Sequence, residues 1–322
     1  MPLPSSGPIS LNNVNVELGL AGTLSISLNQ TNLRTLFKVT TPGSTISMSN
    51  GYGKSRMPSS MQVLVVAGGG GSGAGGGGGG GVLPWFTLTP VAATNYAITI
   101  GAASTQGNGG DSQFTASYIA KGGGKGGLGY CGDAPGSTGG SGGGSGNPCR
   151  GSSGSPGDGY TNPTAGQGTY NIVQGQRGGY GRDYGNYPYL SGGGGGYAER
   201  GVDGSNSETS GYGNGYALDA NIQAVPPFNA TVPGWNTTTT HVGSGGGSQH
   251  GSGGTGGGGG GGSNEGRMYG AGSRLSSASK AGVVVVRYPG TIVGVGGNNI
   301  TYHAASDTSY HVFTAAGTFR FD

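Results

Sequence analysis

The chain has 322 residues, of which 81 are glycine, and charged residues make up only 8% of it. Ordinary domains carry about 7% glycine and about 25% charged residues. A hydrophobic fraction of 32% and a formal net charge of +3 argue against free disorder, which goes with low hydrophobicity and high charge. The weak positive balance also speaks against nucleic acid, which needs clustered Lys and Arg. No apolar run reaches the roughly 18 residues of a spanning helix, so membrane insertion is not expected. The start, MPLPSSGPIS, lacks the basic and apolar regions of an export signal, so synthesis in a cytoplasm without general secretion is expected.

Residues 1–56 differ from everything that follows. They contain an echo: Ile9-Ser10-Leu11-Asn12, Ile26-Ser27-Leu28-Asn29 and Ile46-Ser47-Met48-Ser49-Asn50. Each alternates apolar and polar, as a short half-buried strand does. Asn12 and Asn29 are placed to cap helices, and Leu33, Leu36 and Phe37 form a helical apolar face. The reading is a small α+β module of about three strands and two helices, followed by a linker over 57–61.

From residue 62 the text changes to QVLVVAGGGGSGAGGGGGGGV. The apolar strand at Val63–Val66 has a distant counterpart in Gly282-Val283-Val284-Val285-Val286-Arg287-Tyr288. Two fitted strands bracketing a glycine region over 62–289 predict order, because a loose linker needs no closing frame. Collagen is excluded, since the glycines keep no strict three-residue period. The remaining option is the extended left-handed helix with three residues per turn, whose backbone groups point sideways. One such helix leaves its N–H and C=O groups unpaired, so only a bundle satisfies them. The predicted class is therefore mostly β and irregular: packed polyglycine type II helices framed by strands. Residues 290–322 read as a C-terminal β extension, with short strands at Ile300-Thr301-Tyr302, His311-Val312-Phe313 and Thr318–Phe321.

Motifs for chemistry are weak. Gly51-Tyr52-Gly53-Lys54-Ser55 ends like a phosphate loop, but Met48 stands where the first glycine belongs. Gly139-Gly140-Ser141-Gly142-Gly143 fits a nucleophile elbow by chance in so much Gly and Ser, without the strand that motif needs. The 12 Asp and Glu are scattered, whereas glycoside hydrolysis needs a carboxylate pair. His241, His250, His303 and His311 lack metal-site spacing. No enzyme activity, metal or cofactor is expected. Cys131 and Cys149 are either a loop-closing disulfide or two separate thiols.

Binding is the better prospect. Tyr180-Gly181-Arg182-Asp183-Tyr184-Gly185-Asn186-Tyr187-Pro188-Tyr189 places four tyrosines on a glycine-spaced loop. A second loop carries Phe228 and Trp235. Tyrosine offers large contact area at low entropy cost, so Tyr180, Tyr184, Tyr187, Tyr189, Phe228 and Trp235 are the receptor-binding candidates. The same rings could instead cap the ends of the glycine helices and cover the sheet face.

The run PSSGPISLNNVNVELG, with TNLRTLFKV and ISMSNGYGKS, resembles a segment at the start of many tailed-bacteriophage structural proteins. The second part, VLVVAGGGG through GVVVVRYPG, resembles the glycine-rich domain of phage tail-fibre and tip adhesins. The long insertion from Ala217 to Val242 and the tail after Pro289 depart from that pattern. The resemblance implies a virion protein on the phage tail, made in a bacterial cytoplasm. It implies that residues 1–56, with Leu33, Leu36 and Phe37 as docking candidates, hold other tail or baseplate proteins. The glycine-rich part would then bind a host surface protein or polysaccharide, in a homo-oligomer expected to be a trimer. A capsid decoration, collar or baseplate protein is the alternative.

Overall fold

The structure, a computed structural model, describes residues 3–39, 41, 44–128, 135–146, 153–159, 173–182, 190–204, 211–229, 241–247, 269–273, 279–291 and 293–321. Residues 3–56 close around Leu3, Val14, Leu18, Leu33, Leu36 and Phe37. The Leu3 N–H donates to the Lys54 carbonyl at 2.8 Å and joins the two ends of the module.

The expected strands of this module are a correction. Its repeated motif leads each time into a helix, and no strand ladder forms among its described residues. Helix α1 spans Leu11–Glu17 and is capped by Ser10, not Asn12. The Ser10 hydroxyl accepts the Asn13 N–H at 3.1 Å, while Asn13 Oδ1 accepts the Ser10 N–H at 2.9 Å. Helix α2 spans Thr31–Leu36 behind Gln30, one residue after Asn29. A 3₁₀ turn, Met48–Gly51, follows Ser47 and repeats the reciprocal Ser/Asn contact with Asn50. A serine followed three residues later by asparagine satisfies the first helical N–H groups. Two alternating apolar residues are too few to outweigh that.

The strands are β1 (Met61–Val66), β2 (Val82–Leu88), β3 (Tyr96–Thr99), β4 (Ser112–Phe114), β5 (Tyr118–Ala120), β6 (Ser153–Gly154), β7 (Gly181–Arg182) and β8 (Tyr216–Ala217). After helix α3 (Ala220–Gln223) come β9 (His241–Val242), β10 (Val283–Pro289), β11 (Gly294–Val295), β12 (Asn299–His303), β13 (Thr308–Phe313) and β14 (Gly317–Phe321). Two antiparallel five-stranded sheets result, ordered β12-β13-β10-β1-β2 and β11-β14-β3-β4-β5. The bracketing strands pair directly, with Val63 opposite Val286 and Val65 opposite Val284. Strands β13 and β14 are not an appendage: β13 pairs with β10, and β14 pairs with β3. The boundary expected at residue 289 therefore falls inside both sheets.

Strands β1 and β10 are apolar at consecutive positions because the first sheet is buried on both faces. One face meets the second sheet through Met61, Val63, Val65, Val284, Val286, Ile98, Phe114 and Phe319. The other is covered by the long insertion, whose Leu218, Ile222, Val225 and Phe228 pack on Leu64, Val66, Val283 and Val285.

His311 ties the crossover between the sheets. The Tyr288 hydroxyl accepts the Val293 and Gly294 N–H groups at 3.0 and 2.8 Å. Its own proton is then left for His311 Nε2 at 2.9 Å. His311 Nδ1–H donates to the Gly296 carbonyl at 2.6 Å, which makes the imidazole neutral. This histidine, expected in solvent or a turn, is fully buried.

Candidate functional site

The glycine segments leave the ends of the strands and pack side by side. The segment 75–81 shows the rule. Gly75, Gly78 and Gly81 donate to Gly127, Gly124 and Lys121; Gly76 and Gly79 donate to Gly192 and Gly195. Gly77 and Gly80 donate to Ser273 and Gly270, with the whole set between 2.7 and 3.1 Å. Every third residue thus aims at the same neighbour, and that neighbour advances or retreats by three. The carbonyls follow the same period: Gly73, Gly70 and Ala67 donate to Gly75, Gly78 and Gly81, while Gly144 and Ser141 donate to Gly76 and Gly79. This is the pattern of extended helices with three residues per turn, bonded to each other and not within themselves.

Such packing leaves no room for a side chain at the glycine positions. A Cβ on Gly78 would lie 2.2 Å from the Ser141 carbonyl oxygen, and one on Gly76 would lie 2.0 Å from that of Gly246. Helices 67–73 and 75–81 form a hairpin turning at 73–75, and further segments at 121–127, 140–145, 174–180, 190–196, 201–204, 243–246 and 269–273 join the array.

Where a segment lacks a backbone partner, a short polar side chain supplies one. Asp111 accepts the Gly122 N–H and holds Lys121 in an ion pair at 2.8 Å. Gln174 accepts the Lys121 N–H and donates to the Ile119 carbonyl. Ser112 accepts from Gly101, and Ser279 accepts from Ser104 and donates to Gly69. Sequence reading missed these residues. Asp111 and Ser112 carry a signal, since they directly follow Gly109-Gly110, whereas Gln174 and Ser279 flank no glycine run.

A family described as a glycine-rich domain matches residues 47–289. The chain belongs to that family. No curated protein and no solved structure matches it. The matched span of this glycine-rich domain takes in the bracketing strands and the array, and the structure adds the strands after Pro289 to the same fold.

The hydrogen-bond register also sorts the loops of the glycine-rich domain. Gln174 lies beside the sheets, where its carbonyl accepts the Val82 N–H. Gly179 lies a turn and more away, bonded to Ser145, next to the partners of the 73–75 hairpin. Arg182 and Leu190, which flank the tyrosine stretch in sequence, therefore lie on the side remote from the sheets. The insertion carrying Phe228 starts beside them.

The receptor candidates separate accordingly. Tyr180 is half-buried on the outer edge of the array. Phe228 is a correction: its ring is fully buried and meets Tyr269 edge-on at 5.6 Å, so it serves the core. Tyr184, Tyr187, Tyr189, Trp235, Cys131 and Cys149 lie outside the described residues. The docking candidates Leu33, Leu36 and Phe37 are buried in their own module. Among the described residues of that module the exposed large apolar side chains are Leu11, Val16, Leu24 and Tyr52.

Side chains emerge from the array only at its edges, and the period of three decides which meet. Helices 174–180 and 201–204 run side by side, Gly201 donating to Arg177 and Gly204 to Tyr180. Arg177 and Tyr180, three apart, bring the guanidinium 4.7 Å from the ring centroid. Arg200 and Asp203, also three apart, form an ion pair at 3.5 Å, and Arg182 reaches the same carboxylate at 3.0 Å. Burial works against ionisation of Asp203, but the Tyr180 N–H, the Arg182 hydrogen bond and the charges of Arg200 and Arg182 outweigh it and lower its pKa.

Among the described residues no group of three or more His, Cys, Asp and Glu could hold a metal ion. His303 bonds Ser306 at 2.8 Å, and burial lowers the pKa of His241. No helix is long and apolar enough to cross a membrane among the described residues.

Proposed function

We propose that this glycine-rich domain protein is a structural component of a tailed-phage virion, best read as a tail-fibre or tail-tip adhesin. Residues 1–56 dock it on other tail or baseplate proteins. The array then presents edge and loop side chains to a host surface protein or polysaccharide, without turnover. The observation that carries the reading is the three-per-turn array. It is rigid because each segment is bonded on several sides, and it is chemically silent inside, so all recognition is displaced to its rim. Multiple copies, three in a trimeric fibre, would add avidity to weak single contacts.

The test is adsorption of the phage to its host in the presence of the purified full-length chain, with cryo-EM of the intact virion to place the protein. The adhesin reading expects blocked adsorption and density at the tail. Density on the capsid, with adsorption unaffected, would make it a decoration protein.

A further inference from the structure

The edge formed by helices 174–180 and 201–204 is unusual for this chain. Only 15 residues are Lys or Arg in the whole sequence, yet Arg182 and Arg200 meet at one carboxylate, Asp203, and Arg177 lies on the same edge over the Tyr180 ring. The side chains of Arg182 and Arg200 are 49% and 53% exposed, while that of Asp203 is 18% exposed. Counting Glu199 as well, the described edge keeps a positive excess. Apolar surface lies among the charges: the Tyr180 ring beneath Arg177, and exposed Val202 against Gly211.

We propose that this edge binds an acidic glycan, one whose sugars carry carboxylate or phosphate groups. Guanidinium groups recognise either anion through paired N–H donors. Exposed Val202 supplies apolar surface for a sugar ring, while the Tyr180 ring holds Arg177 and offers its hydroxyl as a polar handle. Asp203 holds Arg182 and Arg200 in place and pre-organises the site. Nucleic acid fits less well, because the charge excess is small for a phosphate backbone.

The proposal rests on the host-binding reading for its biological meaning, but its test does not. The purified full-length chain is titrated with alginate as the carboxylate polymer, phosphomannan as the phosphate polymer, dextran as the neutral control and single-stranded DNA. Binding to alginate, phosphomannan or both is expected, weakening with salt, while dextran and DNA bind at least tenfold more weakly. Which polymer wins identifies the anion. The variant R177Q/R182Q/R200Q should lose roughly tenfold or more in affinity. The variant K38Q/K54Q/R320Q, with the same change in charge elsewhere, should bind as the natural chain does. Thermal unfolding of both variants checks that they fold.

Equal binding to dextran, equal or tighter binding to DNA, or equal losses in the two triple variants would overturn the proposal. If the edge variant fails to fold, Tyr180→Ala replaces it, and unchanged glycan affinity then has the same meaning. Glycan binding without any block of phage adsorption would leave this site standing and remove the adhesin reading. Blocked adsorption without glycan binding would do the reverse.

Discussion

The two halves of the glycine-rich domain are held by opposite means. Between the sheets, stability comes from side chains: Phe114, Phe319, Phe321 and the valines of β1 and β10 are buried to within a few per cent. In the array next to them, the interior contains almost no side chains, and backbone groups bond from segment to segment. A hydrogen bond contributes about 0.5–1.5 kcal/mol net, and a buried Phe about 1.5–3 kcal/mol. The array therefore depends on number and completeness, the sandwich on volume. Each should fail under the change that the other tolerates.

The largest expected effects come from one substitution in each region. Phe319→Ala empties the centre of the sandwich and should cost about 3–5 kcal/mol. Gly78→Ala adds one methyl group where the Ser141 carbonyl oxygen stands 2.2 Å away. Backbone cannot swing aside as a side chain can, so a loss of about 3 kcal/mol or more is expected. Gly107→Ala is the control, because its Cβ would meet only the Ser104 hydroxyl, at 3.2 Å. Urea unfolding measures all three. A Gly78→Ala protein as stable as Gly107→Ala would mean that the segments are not packed as described.

Calorimetry sharpens the contrast without any substitution. Ordinary domains unfold with a heat-capacity change of about 12–15 cal/mol/K per residue, driven by newly exposed apolar surface. The array exposes mainly peptide groups, which lower that quantity. The whole chain should fall clearly below the ordinary range, although it buries a full sandwich core. A value inside the range would show that apolar burial dominates the array too.

How much of this was legible divides along the same line. The pairing of VLVV with VVVV could be read because two apolar runs of matching length have few other places to go. Glycine runs between such ends implied a bundle for want of any other way to satisfy their backbone. The segment-to-segment register was not legible, since identical glycines carry no mark of which neighbour they meet. Neither was the insertion of β13 beside β10, a pairing that local pattern does not encode. Phe228 stayed open between a receptor contact and a cover for the sheet face for a related reason. An aromatic residue beside Pro and Asn looks like a loop tip, and only the back face of the first sheet shows what it covers. The unbroken apolar run of β1 was the available hint, because a strand with one wet face alternates.

A smaller effect concerns the pin between the sheets. Burial pushes the pKa of His311 down, with the Gly296 hydrogen bond acting in the opposite direction, and burial lowers that of His241 as well. The folded state therefore binds fewer protons than the unfolded chain below about pH 6.5. This contribution to stability is complete above that pH and is lost as the pH falls towards the folded pKa values. Melting temperature should be level between about pH 7 and pH 9 and should decline below about pH 6, ahead of carboxylate titration. Imidazole resonances of His311 that titrate at or above the ordinary value would contradict the neutral Tyr288–His311 pair.

The smallest effect tests how the insertion is fastened over the sandwich. Asp219 accepts the Ile222 N–H at 3.1 Å as the cap of α3, and its other oxygen takes Arg287 at 2.6 Å. Arg287 also bonds Gln62 and lies 3.9 Å above the Trp85 ring, so it keeps its place without Asp219. The carboxylate is about a third exposed, and solvent weakens the ion pair accordingly. Asp219→Ala should cost about 1 kcal/mol, chiefly through the lost cap. Asp219→Asn keeps a capping oxygen and removes only the charge, so a few tenths of a kcal/mol are expected. Equal losses in the two variants would place the fastening in the ion pair. The cover over β1 and β10 would then depend on salt as the core between the sheets does not.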